Sequence, residues 1–535
     1  MERRDVLRMA GIGAAGAVTQ VAAVAMNARA SVADDLAGQT AGWVNVRQYG
    51  ARGDGATTDS PAINRAIDAV AAAGGGTVLF PAGVYLSYSI RLKSKVGLYL
   101  DHGAVILAGP TPHDGTTTGG YDLAEPQGEW EPYQDYGHNH WHNSLLWGEG
   151  LDSVSITGPG MIWGKGLSRG WDKEAERPDS NKPGVGNKAI ALKNCRNVLL
   201  RDFRILEGGW FGVLATGVDN LTIDNLLIDT IRDGIDIDCC RNVHVSNCTV
   251  NSPWDDAICP KSSFALGYAR PTENVTISNC YVTGDFEVGS AIDGTWKRLT
   301  GLHHSANGRI KLGTESNGGF RNITISNCVF ESCQGFALES EDGALVEDIT
   351  FTGITMRDIR SAPLFLRLGT RMRGPRDAKP GVMRRVILSN ITSSGASPLP
   401  SILSGVPGHN IEDIKISDVI LEQVGGGTAE TAAREPEERE AAYPDPHMFG
   451  DLPACGFFVR HVRNLEMTNV EIATRAADAR PAFWLHDVEG ADFFRLRVPQ
   501  GSAPAFDLRQ VKEFRSFGSR QMADVTLESI DQRKI

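Results

Sequence analysis

Long apolar runs, helical periodicity and basic charge are all in short supply in this 535-residue chain, and each shortage narrows what it can be. The uncharged stretch at 10–26 is too short and too weakly hydrophobic to be read as a membrane-spanning helix. Scarce 3.6-residue periodicity leaves strands as the main element. A formal net charge of −12 argues against nucleic acid or an anionic membrane as partner, although a local basic patch could still hold an anionic sugar. The nine cysteines are odd in number and lack paired C-x-x-C spacing, so they suggest no metal-ligand set. Three of them, Cys248, Cys280 and Cys328, follow Asn in the phrases VSNC, ISNC and ISNC. They are expected to stack inward as small apolar core residues and not to form disulfides. The adjacent Cys239 and Cys240 receive no role.

At the N-terminus Arg3-Arg4 precedes an Ala/Gly-rich run and an Ala28-Arg29-Ala30 cleavage pattern. This reads as a twin-arginine signal over 1–30, which predicts a periplasmic or secreted protein exported already folded. The mature chain, 31–535, is expected to be a single unit despite its length, because repeat architectures grow without splitting.

Five phrases repeat: NVLLRDFRI from Asn197, NLTIDNLLI from Asn220, NVHVSNCTV from Asn242, NVTISNCYV from Asn274 and NITISNCVF from Asn322. The first three start 23 and 22 residues apart, which is the coil length of a β-solenoid. Each reads as one version of a single strand with alternating buried and exposed positions. Asn225, Asn247, Asn279 and Asn327 are expected to form an inner hydrogen-bonded ladder at a corner. A helix over 59–73, stopped by Gly74 to Gly76 and followed by a strand, predicts the plug that covers the open end of such a solenoid. The expected fold is therefore all-β, a right-handed parallel β-helix with an N-terminal capping helix. Loop insertions are expected at about 110–183, 285–306 and 424–447. The first carries Trp130, Trp141, Trp147, Trp163 and Trp171, of which one or two are expected to stack on sugar rings.

The chemistry concentrates in IRDGIDIDCCRNVHVSNCTVNSPWDDAICPKSS, which begins at Ile231. Asp233 and Asp256 stand one coil apart, so matching DGI to DAI sets their carboxylates on stacked strands, with Asp255 beside them. An isolated Asp is most often a turn residue. Three at one-coil spacing are more easily explained as acid and base groups, because carboxylates this close cannot all ionise cheaply.

Asp233-Gly234 followed by Asp255-Asp256 and then Lys261-Ser262 is similar to the central signature of glycoside hydrolase family 28, the polygalacturonases and rhamnogalacturonases. Ile231-Arg232 departs from that family's N-T before D-G. The segment at 44–85 also resembles the N-terminal entry of pectate-lyase-superfamily β-helices. The resemblance implies a glycosidase with polygalacturonase-like activity that acts with inversion and without cofactor or metal. Asp255 would be the general acid, and Asp233 with Asp256 the base pair that holds the water. The implied substrate is an α-linked, uronic-acid-containing pectic polysaccharide or oligosaccharide, and the insertions are expected to close one end of the cleft and favour exo action. A monomer is expected, with no membrane partner after signal removal.

The family's G-H-G and R-I-K motifs do not transfer cleanly. Arg309-Ile310-Lys311 matches R-I-K by letter, but GTESNGGFRN, which follows, places it on the G-H-G coil with no histidine. On the next coil Ala337 and Glu339 take the outward positions of Arg and Lys. Arg309 and Lys311 flank an inward Ile310, so both point outward and are expected to contact a substrate anion or hydroxyl. Glu339 is expected to bind sugar hydroxyls. His303 or His304 could restore the missing histidine, and His304 is the candidate retained. Arg367, Arg371 and Arg373 read as a solvated rim, while Asp293 and Glu315 are left open. Two other functions share the fold: a β-elimination lyase with a metal-bound acidic site, and a non-catalytic secreted carbohydrate-binding β-helix.

Overall fold

The computed structural model describes residues 42–535 apart from 112–117, 127, 169–185, 301–305 and 502. The signal segment, Trp171, His303 and His304 lie outside the described residues. Short strands stack in parallel, coil upon coil, on three faces of a β-helix. Ile, Val, Leu and Phe from every coil point inward into one continuous apolar core. The chain wraps this way because strict alternation buries one side of each short strand, and parallel stacking pairs its backbone groups with the coils before and after.

Each repeated phrase forms two strands and not one. In the third copy, Arg241–Ser246 and Thr249–Asn251 belong to different faces, and Asn247 makes the corner between them at φ 57°. Asn tolerates the left-handed region better than other side chains, which explains its recurrence at the corner. Asn225, Asn247, Asn279 and Asn327 are therefore exposed, contrary to the inner ladder expected. Their amides reach outward and back one coil, Asn225 to Asp202 at 2.9 Å and Asn247 to Asp224 at 2.8 Å. A second exposed ladder joins the phrase starts: Asn220 donates to Asn197 at 2.9 Å, Asn242 to Asn220 at 3.2 Å, Asn274 to Asn242 at 3.0 Å and Asn322 to Asn274 at 2.8 Å. The cysteines behave as expected, all nine being buried and free.

Helix Ser60–Ala72 covers the N-terminal end with Ile63, Ala66, Ile67 and Val70 turned inward. The Asp59 carboxylate before it accepts the N–H groups of Arg52 and Gly53 at 2.7 and 2.9 Å. At the other end, Val525–Lys534 runs antiparallel to Phe506–Phe517 and closes the stack.

One correction concerns the insertion expected at 110–183. It contains a full coil, made of Leu146–Glu149, Asp152–Thr157 and Met161–Trp163. Short strands rich in Gly and Trp hid that coil. The excursion at 424–447 carries the short helix Ala429–Ala432.

The face that matters for function stacks Val213–Thr216, Ile235–Asp238 and Ile258–Lys261 in register. A bridge from Ile258 to Ile310 continues it to Lys311–Leu312, Phe336–Ser340 and Leu364–Leu368. Its outward row reads Leu214, Asp236, Cys259, Lys311, Ala337, Phe365. Loop residue Trp141 packs over Leu214 together with Trp210 and Phe211. Phe449 and Leu452 pack over Ala337 and Phe365. Two apolar covers thus flank a polar window.

The φ angle at the phrase starts can be tested directly. Asn242→Val is expected to cost about 1 kcal/mol more than Asn242→Gly in chemical denaturation, since both lose the same hydrogen bonds and only Val resists φ near 58°.

Candidate active site

Parallel register places Asp233 against Asp256 at the corner just before the window strands. Ile235 pairs with Ile258, and Gly234 N–H donates to Asp256 O at 3.0 Å. Gly234 is required there, because a Cβ would come within 2.5 Å of Val250 Cγ1 and 2.6 Å of Ala257 O. Carboxylate oxygens of Asp233, Asp255 and Asp256 lie within 4.8 Å of one another. The three acids expected to act together are thus in one cluster.

Four cations hold that cluster. Lys261 Nζ lies 2.9 Å from Asp233 and 3.4 Å from Asp236. Asp256 sits between Arg309 Nε at 2.9 Å and Lys311 Nζ at 2.6 Å. Arg232 lies 3.3 Å from Asp255 and stacks on Trp210 at 4.1 Å. Ile310 is buried in the core, so Arg309 and Lys311 both face the cluster as alternation required. Arg309 lies one coil beyond Ala257, and Gly335 one coil further, which puts Arg309-Ile310-Lys311 on the rung after the Asp pair. Glu339 is fully buried, with Thr314 Oγ1 donating to it at 3.0 Å and Arg309 3.8 Å away.

The acids differ in electrostatic character. Burial is the largest single influence on Asp233 and opposes its ionisation, but Lys261, the Asp255 hydrogen bond, Arg232 and Lys311 together outweigh it and hold the carboxyl below the usual range. Asp255 moves the other way, because burial and the neighbouring Asp233 charge push it well above the usual range despite Arg232. Its side chain is still 26% exposed, so a proton held there can reach the cleft. Asp236 is likewise raised, by burial and by Asp233. Glu339 is raised by burial, against Lys311 and Arg309.

Several participants were not anticipated. Asp236 could have been found, since I-D-I-D alternation turns it outward on the same strand as Asp233's motif. Asp135 and His138 come from the first loop: His138 Nδ1 bonds Asp135 at 2.8 Å, and Asp135 lies 3.6 Å from Arg232. Tyr443, exposed, arrives from the 424–447 excursion, with its hydroxyl 3.3 Å from Thr314. Trp254, next to Asp255 in sequence, is 39% exposed. Sequence distance hid the loop residues, while Trp254 was legible in W-D-D and passed over.

Other expectations meet different fates. Glu315 joins the network, 3.8 Å from both Lys261 and Arg371, whereas Asp293 is exposed and bonded to Thr295. Arg367 and Arg371 are not a solvated rim: Arg367 donates to Ser404 and Gly405 O, and Arg371 pairs with Asp342 at 2.5 Å. The 424–447 excursion covers Arg367, Arg371 is taken up by Asp342 with Glu315 nearby, and Arg373 alone is exposed. Trp141 is a packing residue that donates to Thr216 at 3.1 Å. Trp147 is partly covered, its ring 4.0 Å from that of His142 and tilted by 32°.

Among the described residues three groups have donor sets that could take a cation: Asp233 with Asp255 and Asp256, Asp233 with Asp236 and Cys259, and Glu125 with His142 and Glu149. In the Asp233, Asp255, Asp256 cluster, Lys261, Arg309 and Lys311 already supply the compensating positive charge. In the third, His142 Nε2 lies 2.8 Å from Glu149 and 3.4 Å from Glu125, with Lys193 3.1 Å from Glu149.

Glu315 yields a prediction. Burial opposes its charge, but Lys261, His138 and Arg371 pull it down from 4.5 to about 2. Its ionisation therefore stabilises the fold fully above pH 4.5, and that contribution is lost as pH falls toward 2. Glu315→Gln should cost on the order of 3 kcal/mol at neutral pH and progressively less below pH 4.5, as read by denaturation at several pH values.

Comparison with known proteins fits this geometry. Residues 43–104 match the family described as Rhamnogalacturonase A/epimerase, pectate lyase-like. A "Probable polygalacturonase" of Vitis vinifera is 25% identical over 339 residues, 59% of this chain and 60% of the relative. An "Exo-poly-alpha-D-galacturonosidase" of Dickeya chrysanthemi is 25% identical over 281 residues, 44% of this chain and 45% of the relative. The chain thus spans well under two thirds of the length of each of these relatives. The exopolygalacturonase structure from Thermotoga maritima shares the fold, with a TM-score of 0.58 at 20% identity over 80% of this chain and 91% of that one. Glycosyl hydrolases family 28 matches residues 133–440, more than half of the chain, and on that match together with the β-helix and its acid cluster this protein belongs to the family.

Proposed function

We propose that this protein hydrolyses an α-linked glycosidic bond in a pectic polysaccharide or oligosaccharide, with Asp255 as general acid and Asp233 and Asp256 holding the attacking water. One observation carries the reading: a carboxyl raised above its usual range and open to the cleft stands beside two carboxylates paired with lysine and arginine. Such a split in character is what acid and base partners need at one pH.

Inversion is the outcome expected from the surroundings of the two bases. Asp256 is fully buried with each oxygen on a cation, and Asp233 is nearly as buried with Lys261 upon it. Carboxylates so placed are poor covalent nucleophiles but can orient water. The oxygens are nevertheless closer than the ~6.5–9.5 Å common between carboxyls of inverting enzymes. The attacking water accordingly sits within the acid cluster and not across a wide gap.

The apolar covers on both sides of the window support a short cleft that takes a chain end, hence exo action. Support for a pectic substrate comes from family membership and from the names of the relatives. A twin-arginine signal would place the enzyme in the periplasm or outside the cell, where such polymers are met, and a monomer would suffice for catalysis.

Asp255→Asn is expected to lower kcat by ~10²–10⁴-fold on pectic oligosaccharides in a reducing-sugar assay with chelator present, while thermal unfolding stays cooperative. Equal cleavage by the variant would refute the assignment of the acid, and loss of wild-type activity with chelator would favour the lyase alternative. The pH profile should fall on the alkaline side as Asp255 loses its proton above the usual carboxyl range, and on the acid side only at strongly acid pH, where Asp233 takes one up.

A further inference from the structure

We infer, resting on the hydrolase reading above, that Asp135 is a positioning residue for the general acid: it shares the Arg232 guanidinium with Asp255 and so keeps the proton on Asp255 at the pH of turnover. Ile231-Arg232 departs from the family's N-T, and the departure sets a full positive charge beside the acid. Arg232 Nε lies 3.3 Å from Asp255 Oδ2. A cation at that distance favours the carboxylate, which works against a group that must meet the bond protonated. Of the charged groups that act on Asp255, Asp233 and Asp256 favour its proton and Arg232 opposes it. The strength of the Arg232 contact therefore bears directly on whether Asp255 can serve as the acid.

That contact is divided. Arg232 Nη2 lies 3.6 Å from Asp135 Oδ2 while Nε takes Asp255, so Asp255 meets one nitrogen and not the paired donors of a two-pronged salt bridge. The Asp135 charge, on the other side of the guanidinium, also offsets part of the field of Arg232 at Asp255. Asp233 and Asp236 complete the anionic surroundings of Arg232. The loop is shaped to hold Asp135 there. Asp135 caps the short turn Tyr136–Asn139: its Oδ1 accepts the His138 N–H at 3.3 Å and lies 2.8 Å from His138 Nδ1, which leaves Oδ2 for Arg232. His138 is buried against Phe211, with ring centroids 4.9 Å apart, and Arg232 lies on the neighbouring Trp210. Gly137 approaches the Trp210 ring so closely that a Cβ there would collide with it. Trp210 and Phe211 thus carry both the arginine and the turn that brings Asp135 to it. The remaining charges that act on this turn are Lys261, toward Asp135, and Glu315, toward both His138 and Asp135.

Two substitutions should move the acid in opposite directions. Asp135→Asn keeps the cap on the turn but removes the charge and frees Arg232 for Asp255. The alkaline limb of kcat/KM on pectic oligosaccharides is then expected to move down by about half a pH unit or more. Arg232→Gln removes the cation and should move the same limb up by about one unit. Asp135→Glu, which restores the charge, should bring the limb back toward the wild type. The Asp255 proton is also followed without turnover, by infrared difference spectra against pH in the carboxyl band that Asp255→Asn lacks, and its titration should shift with the limb. A purely structural role for Asp135 would lower the rate of Asp135→Asn at every pH and leave limb and band in place. That result, or shifts of Asp135→Asn and Arg232→Gln in the same direction, would overturn the inference while the hydrolase reading stood. Absence of cleavage by the wild type would refute the hydrolase reading and, with it, the inference that rests on it.

Discussion

Everything at the site depends on the parallel register that stacks Ile235–Asp238 directly on Ile258–Lys261. That register fixes Asp233 against Asp256 and brings Lys261 over Asp233 from the far end of the second strand. A slip of one residue would turn each outward side chain into the core. The core itself resists such a slip, because Ile235, Ile237 and Ile258 alternate with the polar positions and are fully buried. The same apolar periodicity that holds the solenoid together therefore also aims the carboxylates.

Charge is then distributed by depth. Acids nearest the core, Asp233 and Asp256, are met by Lys261, Arg309 and Lys311 away from solvent. Asp255, at the edge, has only Arg232 against the combined push of burial and its neighbours. Removing one member from so dense a network leaves its partner buried and uncompensated, which costs more than the pair is worth as a contact. Loops from distant parts of the chain complete the arrangement: Asp135 supports Arg232 from one side, and the 424–447 excursion brings Tyr443 from the other.

How far this was legible from the sequence varies with the kind of interaction. Solenoid period, strand alternation and the coil spacing of Asp233 and Asp256 are local or near-local properties, and they were readable. So was the displaced rung of Arg309-Ile310-Lys311, since the phrase after it fixed the register. Direction at corners was not: Asn247 and its counterparts look inward by simple alternation, but the left-handed corner turns them out. Nor could burial of Arg367 be read, because it comes from a covering segment some 70 residues away in sequence. The coil hidden within 110–183 escaped because Leu146–Glu149 is short and carries Trp and Gly in place of β-branched residues. Asp135 and Tyr443 meet the site only through tertiary packing, which no local pattern announces.

The central claim is that a water held by buried, cation-paired carboxylates attacks the sugar while Asp255 gives its proton to the leaving oxygen. The anomeric configuration of the first product, followed by proton NMR before mutarotation, tests it most directly. The account predicts a β product from an α-linked substrate. An α product formed first would mean that Asp233 or Asp256 reaches the anomeric carbon as a covalent nucleophile, and the mechanism set out here would be wrong.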